Sequence, residues 1–204
     1  MAGILDLLAQ NLTGPQMGQL AQSIGANESQ TQKAVAVALP ALLAALNRNT
    51  NSDAGVASLA QAVQQDHDGS LLDNLGGFLS GAMSGQRQAD GGGILGHILG
   101  GQQPTVEQGV AKASGLDMRQ VAKLLPILAP IVMAAIGRRK RQANLDNSGL
   151  SGMLGQEATR ARQAAPEGLL GALSGFLDAD GDGSIQDDLM ARAGQAALGK
   201  LFGR

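Results

Sequence analysis

Two unbroken apolar runs of 13 residues, 34–46 and 124–136, stand 90 positions apart, and each carries a proline at the same place, Pro40 and Pro130. A spanning helix needs about 20 apolar residues, and a run of about 10–14 more often marks a helix buried in a core. An internal proline removes one backbone hydrogen bond, so each run is either a bent helix or two helices meeting at the proline. A chain with two such runs must bury both, and packing them together is the simplest solution.

The same shift aligns much of what surrounds the runs. Gly3, Ile4 and Leu5 fall on Gly93, Ile94 and Leu95, and Leu8 falls on Ile98. Gly25, Asn27, Gln30, Lys33 and Arg48 fall on Gly115, Asp117, Gln120, Lys123 and Arg138. Asn27 and Asp117 are good helix N-caps, and a Gln three residues later completes a capping box. The glycine two residues upstream of each cap suits a turn that needs positive φ. Basic residues at 48 and 138 complement the negative ends of the helices that follow.

Further helices are predicted over 4–8, 15–24 and 53–65, the last capped by Ser52 or Asp53, and over 94–99 and 104–113 in the second copy. The expected architecture is all-α, a multi-helix bundle rich in small residues and built from two related units. The first unit covers 1–80. Residues 81–93 read as a Gly-rich linker. The second unit covers 94–142 and repeats 4–49. Residues 143–204 form a Gly/Ala-rich extension with an Asp-rich turn and a terminal helix over 193–202; within it, 157–165 reads as a short exposed helix.

Composition limits the chemistry. The 204 residues include 30 Gly, no Cys and two His, His67 and His97, with a net charge of −2. Without Cys there is no thiol nucleophile and no thiolate metal site, and a three-His zinc centre is excluded within one chain. His67 is expected on an exposed turn, where with Asp66 and Asp68 it makes the one compact acid–base group. His97 is expected to pack at the edge of the core. No catalytic constellation is visible, and a non-enzymatic protein without cofactor is expected. The N-terminus lacks the basic start and long apolar run of a secretory signal, which points to the cytoplasm.

The pattern D-x-D-G-S-(L/I)-x-D-(D/N)-L occurs twice, from Asp66 to Leu75 and from Asp180 to Leu189. It resembles the start of a calcium loop of the EF-hand or dockerin type, with Asp178, Asp180 and Asp182 as ligands one, three and five and the Ser184 carbonyl as seven. The bidentate acid of position twelve is missing, since Leu189 stands there and Asp188 comes one residue early. In the earlier copy Asp66 and Asp68 are the weaker candidates, because Gln64 takes position one. The alternative reading makes both copies capped turns, with Ser70 and Ser184 as N-caps and Asp73 and Asp187 three residues on. Arg138, Arg139, Lys140 and Arg141 form the one basic cluster, a candidate site for phosphates of nucleic acid or anionic lipid, or a solvated helix end.

The run 66–79, the segment from Ile94 to Gly101, and the Leu-Leu-Pro-x-Leu-Ala-Pro motif from Leu124 to Pro130 together resemble the bacterial domain-of-unknown-function family 937. The resemblance extends from about residue 3 to about residue 142. It implies a bacterial source and a helical fold and supplies no functional residues. The reading that follows is an interaction protein that associates with itself or with another protein. Weak calcium binding, or contact with DNA or anionic membrane through 138–141, are the alternatives.

Overall fold

A computed structural model describes residues 3–83 and 88–164. They form α1 (Ile4–Asn11), α2 (Pro15–Ile24), α3 (Glu28–Asn49), α4 (Asp53–Gln65), a 3-10 turn (Ser70–Asn74), α5 (Leu75–Met83), α6 (Gln88–Leu99), a second 3-10 turn (Gly100–Gln102), α7 (Gln103–Ser114), α8 (Met118–Gln142) and α9 (Asn147–Ala164). No strand occurs among the described residues. The all-α architecture expected from the sequence is the one observed.

Each apolar run lies in one uninterrupted helix. Pro40 sits inside α3, and Pro126 and Pro130 sit inside α8. The prolines strip the carbonyls of Ala36, Ala122 and Pro126 of their helical N–H donors. Ala36 and Ala122 are exposed, so water can serve those two carbonyls, whereas Pro126 is buried. By length and composition α8 could cross a membrane, yet 83% of its most apolar window is buried inside the fold. It packs against α6, α7, α1, α2, α3 and α4.

Segments 90 residues apart adopt matching local structure. Gly25 and Gly115 close α2 and α7 in left-handed conformations, with φ 72° and 76°. The Asn27 and Asp117 side chains each accept from the N–H of the Gln three residues on, both at 2.8 Å. Those two glutamines then reach across. Gln30 Nε2 donates to the Gly115 carbonyl at 2.9 Å, and Gln120 Nε2 donates to the Gly25 carbonyl at 2.7 Å. α1 and α2 both pack on α8, and α6 and α7 both pack on α3. The caps of α4 and α9, Ser52 and Asp146, each accept from a glycine N–H three residues on.

Two segments differ from expectation. Residues 88–93, which read as linker in the sequence, are the first turns of α6. Glycine is a poor helix former, but a Cβ at Gly91 would lie 1.9 Å from the Pro126 carbonyl oxygen. The bare glycine backbone lets α6 close over the carbonyl that Pro130 leaves without a donor. Residues 157–164, expected as a short exposed helix, are the last part of α9, and Glu157 is buried at 4% exposure. Its carboxylate accepts from Ile4 N–H at 2.8 Å and Leu5 N–H at 3.4 Å and pairs with Arg160 at 2.9 Å. It therefore supplies an acceptor at the N-terminus of α1, where the helix leaves donors unpaired. The Asp-rich turn at 178–188 and the helix expected over 193–202 lie outside the described residues.

Candidate functional site

The first Asp-rich turn and the basic cluster meet. Gly69 takes φ 95°, a left-handed value suited to glycine, and the turn lies against the C-terminal end of α8. There a Cβ on Gly137 would fall 1.8 Å from the His67 carbonyl oxygen, so Gly137 is where the two backbones touch. Arg138 donates to the Gly69 carbonyl at 2.8 Å and pairs with Asp73, while Arg141 pairs with Asp68 at 3.0 Å. The other Asp68 oxygen accepts from Ser70 N–H at 3.0 Å.

The cap of this turn is thus Asp68 acting on Ser70, not Ser70 acting on Asp73. Positive φ at Gly69 folds the chain back so that the aspartate reaches the N–H two residues on, as in an Asx turn. That hydrogen bond first, then the Ser70 hydroxyl and Arg141, lower the Asp68 pKa below its usual value. Asp66 is exposed at the C-cap of α4, and Arg139 and Lys140 are half-buried beside Arg138. Among the described residues, no three His, Asp or Glu side chains come together in a way that could hold a metal ion. Asp178, Asp180, Asp182, Ser184 and Asp188 lie outside the described residues.

Behind this turn a cleft of about 760 Å³ opens between α3, α4 and α6, with α8 at its floor. Leu46, Leu59, Ala62, Ile94, Ile98 and Met133 give it an apolar lining. Arg48, Asn49, Ser52, Ser58, Asp66, His67 and His97 bring polar groups to the same cleft. The Asn49 side chain donates to the His97 and Ile98 carbonyls at 3.0 and 3.2 Å, which ties the end of α3 to the end of α6. The Ser52 hydroxyl is engaged as the cap of α4.

Both histidines therefore line one cleft, which sequence reading does not foresee. His67 is half-buried rather than exposed, because the turn is pressed onto α8; His97 is exposed, not packed at the core edge. Arg48, Ser58 and Met133 belong to the cleft without any local signal. They come from three helices and meet only through the tertiary packing.

Burial lowers the His67 pKa from 6.5, with Asp66 opposing the shift. The folded state then holds fewer protons than the unfolded state when the pH lies between the two pKa values, and stability rises with pH there. Stability from this group is full above pH 6.5 and is lost as the pH falls through the lower folded value. Thermal melting of the wild type and of His67→Gln across this range should show the slope in the first and a flatter profile in the second. Equal slopes would mean that burial does not govern this imidazole.

The fold and cleft define a class: an all-helical protein with a mostly apolar, partly polar cavity at the end of its two central helices. The profile of the family described as bacterial protein of unknown function (DUF937) matches residues 6–139, which run from α1 to the last turn of α8. The chain belongs to this family. None of the curated proteins and none of the solved structures matches it.

Proposed function

We propose that this chain is a non-catalytic binding module: a duplicated helical unit paired on itself, holding a small ligand in the cleft between α3, α4 and α6. The observation that carries this reading is the cleft itself. Its volume of about 760 Å³ falls in the range of small-molecule sites, roughly 300–1,000 Å³. Its apolar walls with a few convergent polar groups suit a ligand with an apolar body and a hydrogen-bonding end.

The duplication is supported by the shared caps, the two left-handed glycines and the reciprocal glutamine bonds. A non-catalytic role is supported by how the polar groups are spent. Asp68 serves a turn and an ion pair, and Ser52 serves a cap. Self-association through an apolar face draws no support from the described surface, where Met118 is the one large exposed hydrophobic side chain. Anion binding by the basic cluster draws less support from Arg138 and Arg141, which face Asp73 and Asp68.

The chain has no Trp and no Tyr, so an added fluorophore is read without background. Titration with 8-anilinonaphthalene-1-sulfonate should show saturable binding at one site per chain. Ser58→Trp, on the exposed cleft wall of α4, should abolish that binding and leave melting unchanged. No saturable binding by the wild type, or the same binding by the variant, would remove the proposal.

A further inference from the structure

The cleft has a neighbour of different chemistry. A second cavity, of about 470 Å³, opens between the end of α3 and the starts of α4 and α9. Asn51 and Ser52 line both cavities and are exposed, so they form a shared rim. The cleft is mostly apolar, whereas the second cavity presents Asp53, Asn147, Ser148 and Ser151, and among its described lining residues Val56 alone is apolar. The Ser52 hydroxyl accepts from Gly55 N–H at 3.1 Å and can still donate. The Ser148 hydroxyl donates to Asp146 at 3.0 Å and can still accept. The side chains of Asp53, Asn147 and Ser151 make no hydrogen bond among the described residues.

We infer that one amphiphile spans both cavities, with its alkyl or acyl chain in the cleft and an uncharged, hydroxyl-rich head, a sugar or polyol, in the second cavity. The inference rests on the cleft being a ligand site and adds the class of ligand. A sugar hydroxyl both donates and accepts, and the second cavity offers both functions. The Asp53 carboxylate accepts, the Ser52 hydroxyl donates, and the amides of Asn51 and Asn147 and the Ser151 hydroxyl do either. A charged head fits less well. Helix starts attract anions, but here Asp53 in the first turn of α4 and Asp146 at the cap of α9 already supply negative charge. A cationic head would find exposed carboxylates, and ion pairs at exposed positions contribute little. Each ion would also give up hydration that these groups do not replace.

The test is displacement of the bound dye from the full-length chain by n-octyl β-glucoside, octyl phosphate and octyltrimethylammonium, each kept below its micelle-forming concentration. These share one tail and differ in the head. The glucoside should act at about tenfold lower concentration than either ion, the worth of a net hydrogen bond or two. Asp53→Ala and Ser151→Leu, tested separately, should each weaken the glucoside by about tenfold. Neither should change displacement by 1-octanol, which carries the tail without the sugar; a general loss of fold would weaken both. Octyl phosphate acting as well as the glucoside would make the second cavity an anion site and overturn the inference. Octyltrimethylammonium doing so would make it a cation site, with the same consequence. Equal action of all three, or a glucoside preference that survives both variants, would mean that the second cavity takes no part. In those cases saturable dye binding that Ser58→Trp abolishes still leaves the cleft as a ligand site. Absence of dye binding removes the cleft reading and this inference together.

Discussion

Gly91→Ala should destabilise the protein by about 3 kcal/mol, while Gly92→Ala, one residue along the same helix, should stabilise it by about 0.5–1 kcal/mol. The opposite signs follow from what each new methyl group meets. At Gly91 a Cβ would lie 1.9 Å from the Pro126 carbonyl oxygen, and both groups belong to backbone held in helices. Neither can step aside, so α6 must lift from α8. At Gly92 nothing lies within 4 Å of the added carbon. There the change only reduces the freedom of the unfolded chain and favours a helix that already exists. Urea denaturation of the two variants measures both effects. A stabilised or neutral Gly91→Ala would mean that α6 does not close on α8 as described, and residues 88–93 would be linker after all.

Gly137→Ala should cost about 2–3 kcal/mol, and the loss should be concentrated in the Asp-rich turn. The added carbon would fall 1.8 Å from the His67 carbonyl oxygen. Relieving that overlap moves residues 67–69 off α8, together with the contacts of Arg138 to Gly69 and Asp73. Arg141→Ala is the comparison that decides whether packing or charge holds the turn. The Arg141–Asp68 pair is well exposed, 57% and 45% for its two side chains. Exposed pairs of this kind are worth about 0–1 kcal/mol. Packing should therefore dominate, with Gly137→Ala the more damaging change. Amide exchange at Leu72, whose N–H is bonded to the Gly69 carbonyl at 3.2 Å, reports the turn directly. Because His67 and Asp66 line the cleft, the same variant should weaken dye binding. A larger loss from Arg141→Ala than from Gly137→Ala would reverse this ranking.

Local chemistry is readable in the sequence wherever one segment determines itself. The bounds of α2 and α4 follow from Pro15, Ser52 and apolar spacing, and the starts of α3 and α8 follow from Asn27 and Asp117 with their glutamines. The all-helical fold follows from those elements together. The beginning of α6 is hidden, because the helix penalty of Gly91, Gly92 and Gly93 is visible in sequence and the contact with Pro126 that offsets it is not. Glu157 looks like any exposed helix acid, since its partners, Ile4 and Leu5, lie more than 150 residues away. In sequence the turn at 66–74 is an Asp-rich site and the basic cluster at 138–141 a separate one. What brings Asp68 to Arg141 and Asp73 to Arg138 is the absence of a side chain at Gly137, and one sequence does not reveal which helix that gap will meet. The cleft is beyond reach for the same reason, as its walls come from four helices.

We propose that two copies of one helical unit pair about an approximate two-fold axis. Distances between spin labels test it most directly, and the cysteine-free chain permits labels at chosen sites. Lys33 and Lys123 are equivalent positions 90 residues apart, as are Gln22 and Lys112, and all four are exposed. A two-fold axis requires the distance from position 33 to position 112 to equal the distance from position 123 to position 22. Double electron–electron resonance on the two doubly labelled proteins should give coincident distance distributions. Clearly separated distributions would contradict the pairing.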